Sequence, residues 1–162
     1  MGVVKGGSRG KGACRVYRCT AEGAELAFAF EGEPAGVKRA QYFVTIPGDV
    51  DADGAPDLYF VDHDSGFAGY SEPSSWDLDD RLLINDGLGY FTDETVLRMT
   101  SAMVTGGFGV GGLIGDFNLD GANDVLRGST GNISDPVQEI SLAYNAPSAV
   151  GTFNIYQEVY SL

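Results

Sequence analysis

The sequence predicts an all-β protein made of two related units behind a basic N-terminal extension. Three observations carry that expectation. A ten-residue acidic pattern, Gly-Asp-x-Asp/Asn-x-Asp-Gly-x-x-Asp, occurs twice, at 48–57 and 115–124, with its first aspartates Asp49 and Asp116 67 residues apart. The residues flanking it are aromatic and β-branched, the composition of strands rather than helices. Glycine is abundant, at 24 of 162 residues, as a chain of many short strands and tight turns requires. Self-similarity at a fixed spacing sets the architecture, because each copy contributes one structural unit.

In chain order, residues 1–39 hold seven cations (Lys5, Arg9, Lys11, Arg15, Arg18, Lys38, Arg39) against four acids. Within them, residues 13–38 read as one strand–turn–strand hairpin. Cys14 and Cys19 are five residues apart. In a continuous strand that spacing separates the Cα atoms by about 16 Å, so a disulfide needs an intervening turn. Two unlinked thiols, an internal bridge and intermolecular bridges all stay open. The first copy occupies 40–99. Tyr42–Ile46 is its first strand, the acidic pattern its loop, and Leu58–Val61 its second strand. A long insertion containing Phe67, Tyr70 and Trp76 follows, then a strand pair over Arg81–Thr92. The second copy, 100–162, matches with Leu113–Ile114, the loop, Val125–Leu126, Ile140–Asn145 and Gly151–Asn154. Its glycine run at 107–112 fits GxGxxG, but no helix pattern follows, so the match carries no nucleotide site.

Each acidic pattern has the spacing of a calcium loop: oxygens at positions 1, 3, 5 and 9, a backbone carbonyl at 7, and glycine at the turn. The first set is Asp49, Asp51, Asp53, the carbonyl of Ala55 and Asp57, with Gly54 at the turn. The second is Asp116, Asn118, Asp120, the carbonyl of Ala122 and Asp124, with Gly121. Carboxylates this close repel one another unless a cation neutralises them. An EF-hand is excluded, because it needs a glutamate at position 12 where Phe60 and Arg127 stand, and helices on both sides. Two Ca²⁺ sites between strands are therefore expected.

With Phe108-Gly109 ahead of the second loop and the Arg81–Thr92 strand pair after the first, these loops resemble FG-GAP/VCBS repeats, the calcium-loop blades of integrin-α-type β-propellers. The resemblance covers about residues 40–156. It implies two four-stranded antiparallel β-propeller-like blades, with calcium between the first two strands of each, and a role in adhesion, matrix or polysaccharide-associated proteins. Propellers close with typically 4–8 blades. Two copies imply further blades of a larger propeller, several copies of this chain in an assembly, or sheets packed into a non-propeller β-domain.

Composition narrows the function. The formal charge is −13, with 10 cations against 23 acids, which argues against nucleic acid as a partner. Residues 40–162 carry three cations and 19 acids. The extension therefore suits the acidic body of a neighbouring copy, or another polyanion. His63 is the only histidine, and no nucleophile–base pair stands out, so an enzyme is not expected. The alternative is a carbohydrate-binding module, or part of a polysaccharide-active enzyme, in which Trp76, Tyr70 and Phe67 stack on a glycan. The acids Asp62, Asp64, Asp77, Asp79 and Asp80 would then stand nearby. No apolar run is long enough to span a membrane, and no secretory leader is visible. Extracellular calcium modules bind with Kd on the order of 10⁻⁴ to 10⁻³ M, which places the protein outside a cell or at its surface. Asn132-Ile133-Ser134 fits a glycosylation sequon, again suited to a surface loop.

Overall fold

In a computed structural model the protein is mostly β. The structure describes residues 3–5, 15–29, 42–62, 80–104, 109–129 and 139–161. These form three antiparallel sheets, none closed into a barrel. The first sheet contains β1 (Val3–Lys5), β2 (Arg15–Thr20) and β3 (Gly23–Ala29). The second runs β4 (Tyr42–Gly48), β5 (Asp57–Asp62), β6 (Arg81–Asn85), β7 (Phe91–Asp93) in chain order. The third is β8 (Gly109–Gly115), β9 (Asp124–Ser129), β10 (Glu139–Asn145) and β11 (Phe153–Ser161), again in chain order. Two one-turn helices, α1 (Thr95–Arg98) and α2 (Ser101–Val104), connect the second sheet to the third. Pro47, which has no N–H to donate, lies on the edge strand β4, where a missing ladder bond is tolerated.

Alternation along β5 and β6 explains why the second sheet sits in the middle. Phe60 and Leu83 face the first sheet and pack with Val16, Phe28 and Leu58. Tyr59, Val61, Leu82 and Ile84 face the other way and join Val125, Ala143 and Phe153 of the third sheet, with Met99 and Met103 from the helical connection. A sheet covered on both faces must be apolar at consecutive positions, which is how β5 and β6 read. β4 and β8 cross closely. A Cβ on Gly48 would lie 2.5 Å from Ile114 Cγ2, and one on Gly112 would strike the Leu126 carbonyl and Ile46 Cδ1.

Polar groups fasten both junctions. Between the first two sheets, Arg18 donates to Glu25 and to the Leu88 carbonyl and lies 4.3 Å over the Tyr90 ring, while Tyr90 donates to Glu25. Between the second and third, Arg127 on β9 pairs with Asp80 at 2.6 Å, and Tyr59 donates to the same carboxylate oxygen, all fully or nearly fully buried.

Candidate metal centre

Both acidic loops join the first two strands of a four-stranded sheet, β4 to β5 and β8 to β9. Their backbones match residue for residue. Gly54 and Gly121 have φ of 88° and 91°, a left-handed conformation that glycine adopts without a Cβ clash. Ala52 and Leu119, two residues earlier, are also left-handed at 61° and 63°. Each costs roughly 1–2 kcal/mol in a residue with a Cβ. The same strained turn therefore occurs twice at equivalent positions.

The hydrogen bonds also recur. Asp49 Oδ2 accepts from Gly54 N, and Asp116 Oδ2 from Gly121 N, both at 3.0 Å. Asp53 accepts from Ala55 N and Asp120 from Ala122 N. At the ninth position, Asp57 Oδ2 accepts from Val50 N and Asp124 Oδ2 from Phe117 N. Their Oδ1 atoms accept from the backbone of Asn85 and Asn145, both at 2.9 Å. Each last aspartate thus ties its loop to the end of the third strand of its sheet. The asparagine side chains complete the brace. Asn85 donates to the Pro56 carbonyl and accepts from Gly87 and Gly89, while Asn145 donates to the Asn123 carbonyl and accepts from Gly151.

The loops differ in what is left unsatisfied. In the first, Asp49 Oδ1 and Asp51 Oδ1 are buried and make no hydrogen bond. Carboxylate oxygens of Asp49, Asp51 and Asp57 lie within 4.8 Å of one another. An unpaired buried carboxylate oxygen is expensive, and two beside a third carboxylate create a deficit that one cation meets. Burial pushes the Asp57 carboxyl up to about 6. The backbone N–H groups of Asn85 and Val50 oppose that rise, and Asp51 and Asp53 add to it. Arg98 supplies one positive charge, 3.5 Å from Asp51 Oδ2, while also bonding Glu94 and the Gly151 carbonyl. In the second loop, both Asp116 oxygens accept backbone N–H groups, and the Asn118 amide donates to Asp120. Among the described residues, Asp49, Asp51 and Asp57 alone form such a three-acid cluster.

Sequence spacing selected the loop residues because a loop is local. It did not assign Asn85, Asn145, Asn123 or Arg98 to the site. Asn123 and Asn145 of the third sheet donate to the Asp49 and Val50 carbonyls at 2.7 and 2.6 Å, so the first loop is also held from outside its own sheet. The one available signal was the matched endings Leu83-Ile84-Asn85 and Ala143-Tyr144-Asn145. Asp80, weighed as a catalytic acid, is instead the buried partner of Arg127. Phe67, Tyr70, Trp76, His63, Cys14 and the Asn132 sequon lie outside the described residues, as do Asp64, Asp77 and Asp79. Among the described residues, no helix is long and apolar enough to cross a membrane. Comparison with family models, with curated proteins and with solved structures returns no match.

Proposed function

We propose that the chain is a calcium-stabilised β-repeat module that acts through protein–protein contact rather than catalysis, outside a cell or at its surface. The observation that carries this reading is the pair of unpartnered buried oxygens, Asp49 Oδ1 and Asp51 Oδ1, beside Asp57. Hard oxygen donors of this kind suit Ca²⁺. Asp49, Asp51 and Asp57 would hold the ion, with Asp53 and the Ala55 carbonyl completing the set. Its contribution there is charge neutralisation, which locks β4 to β5. The matched backbone of the second loop makes Asp116, Asn118, Asp120, Asp124 and the Ala122 carbonyl a second, weaker site. Asn118 would have to turn its amide away from Asp120 before its oxygen could serve. The two four-stranded sheets, each carrying such a loop between its first strands, are read as blades of propeller type.

At about 1 mM calcium, a Kd of 10⁻⁴ to 10⁻³ M stabilises the fold by roughly 0.4–1.4 kcal/mol per site, and by almost nothing at cytosolic levels. Isothermal titration with calcium, alongside melting in calcium and in chelator, tests the reading. A tighter and a weaker binding event with a calcium-dependent rise in Tm are expected. No heat and no shift would overturn it.

A further inference from the structure

The third sheet repeats the face by which the second sheet is covered, yet part of that face stays open to solvent: Leu113 on β8 is 59% exposed, while Leu142 on β10 is 8% exposed. Ile46, Val50, Tyr59, Val61, Leu82 and Ile84 of the second sheet and its loop are packed under the third sheet. One copy further on stand Leu113, Phe117, Leu126, Gly128, Leu142 and Tyr144. The first four are matched through the loops and the last two through Asn85 and Asn145. Leu113, Leu126 and Leu142 are direct cross-strand neighbours and form one apolar row across β8, β9 and β10. Ile46 is 6% exposed and its counterpart Leu113 is 59%; Val50 is fully buried and Phe117 is 42% exposed. Ile140, at 41%, extends the patch. Contiguous exposed apolar surface of this kind marks an interaction site.

We propose that this outer face of the third sheet docks the outer face of the first sheet of a second copy of the chain, head to tail. The inference deepens the interaction-module reading and rests on it. Two observations choose the occupant. The stacking already present continues in one sense, first sheet on second and second on third. That leaves one outer face at each end. At the far end, Tyr17 and Leu26 are cross-strand partners on the side of the first sheet away from Val16, with Leu26 48% exposed and Arg15 exposed beside them. Charge makes the second argument. The segment 1–39 carries seven cations against four acids, whereas 40–162 carries three against 19. A face-to-face pairing of two third sheets would bring two acidic segments together, while the head-to-tail pairing brings exposed Arg15 of the basic segment toward an acidic one. Such a heterologous contact closes into a ring or runs on as a filament.

Sedimentation velocity of the full chain in calcium, over a range of protein concentrations, provides the test. Concentration-dependent association that weakens with added salt is expected. Leu113→Glu and Ile140→Glu, both at exposed positions outside the acidic loops, should weaken association about tenfold or more with Tm unchanged. A disulfide cross-link provides the second measurement, in a background with Cys14→Ser and Cys19→Ser. Leu113→Cys should link to Leu26→Cys only when the two variants are mixed. A wild-type monomer that binds calcium normally would overturn the docking and leave the metal reading intact. Association insensitive to both glutamate variants, or Leu113→Cys linking to itself, would also overturn it. Association lost in those variants of a protein that shows no calcium response would support the docking and remove only the metal.

Discussion

Asp57 has no exposed surface, and both its oxygens accept backbone N–H groups, one from Val50 and one from Asn85. Asp57→Asn sets an amide N–H against one of those donors. The expected loss is about 1–3 kcal/mol, read by urea denaturation in chelator. The raised pKa has a pH signature. The folded metal-free chain holds this proton up to about 6, while the unfolded carboxyl releases it near its ordinary value of 3.8. Stability from this group is therefore present below the lower value and is lost as pH rises through the upper one. In chelator, wild type minus Asp57→Asn should lose stability across that window; in calcium, which needs the ionised form, the stabilisation by metal should grow across it. Asp49→Asn separates metal from fold differently. Its oxygen can still accept from Gly54, and one buried negative charge is removed, so Tm in chelator should hold or rise. The first site's share of the calcium-induced gain, roughly 0.4–1.4 kcal/mol, should disappear while any gain from the second loop remains, as differential scanning calorimetry would show.

Among the elements, β8 carries the densest glycine run, and its glycines are not equivalent. A Cβ on Gly112 would meet a backbone carbonyl that cannot rotate away and would lie 2.7 Å from Ile46 Cδ1, whereas one on Gly111 meets nothing within 4 Å. Gly112→Ala should cost about 1–3 kcal/mol by overpacking where β4 crosses β8. Gly111→Ala should stay within about 0.5 kcal/mol. Equal losses for both by thermal denaturation would mean that strand propensity, not the close approach of two sheets, selects glycine there. The loops were expected to join strands, and the matched left-handed residues Ala52 and Leu119 show how each connection is closed. Their identities gave no sign of this, because neither alanine nor leucine favours that conformation.

Across the whole molecule, the three sheets are stacked by apolar faces, and Asp80, Arg127 and Tyr59 fasten the second to the third at a buried point. Breaking a buried pair leaves a charge without its counter-charge, so Arg127→Met should destabilise by about 3–5 kcal/mol. Adding Asp80→Leu should recover much of that loss, because the remaining charge is removed as well. A double variant as unstable as the single one in guanidinium unfolding would show that the pair is worth more than an apolar replacement. The order of stacking leaves Leu113 and Phe117 uncovered while Ile46 and Val50 are buried, so copies of one pattern meet different surroundings.

By itself the sequence determined the two acidic loops, their turn glycines and the strands on either side. All of these depend on residues within about ten positions of one another and on local backbone preference. Only the tertiary structure decided that Asn85 and Asn145 brace the loops, that Asn123 and Arg98 reach the first loop from elsewhere in the chain, and that Asp80 is buried opposite Arg127. Those contacts join residues 21 to 74 positions apart, and no local periodicity encodes such a distance. They form only when apolar faces choose their neighbours and carry the polar groups with them.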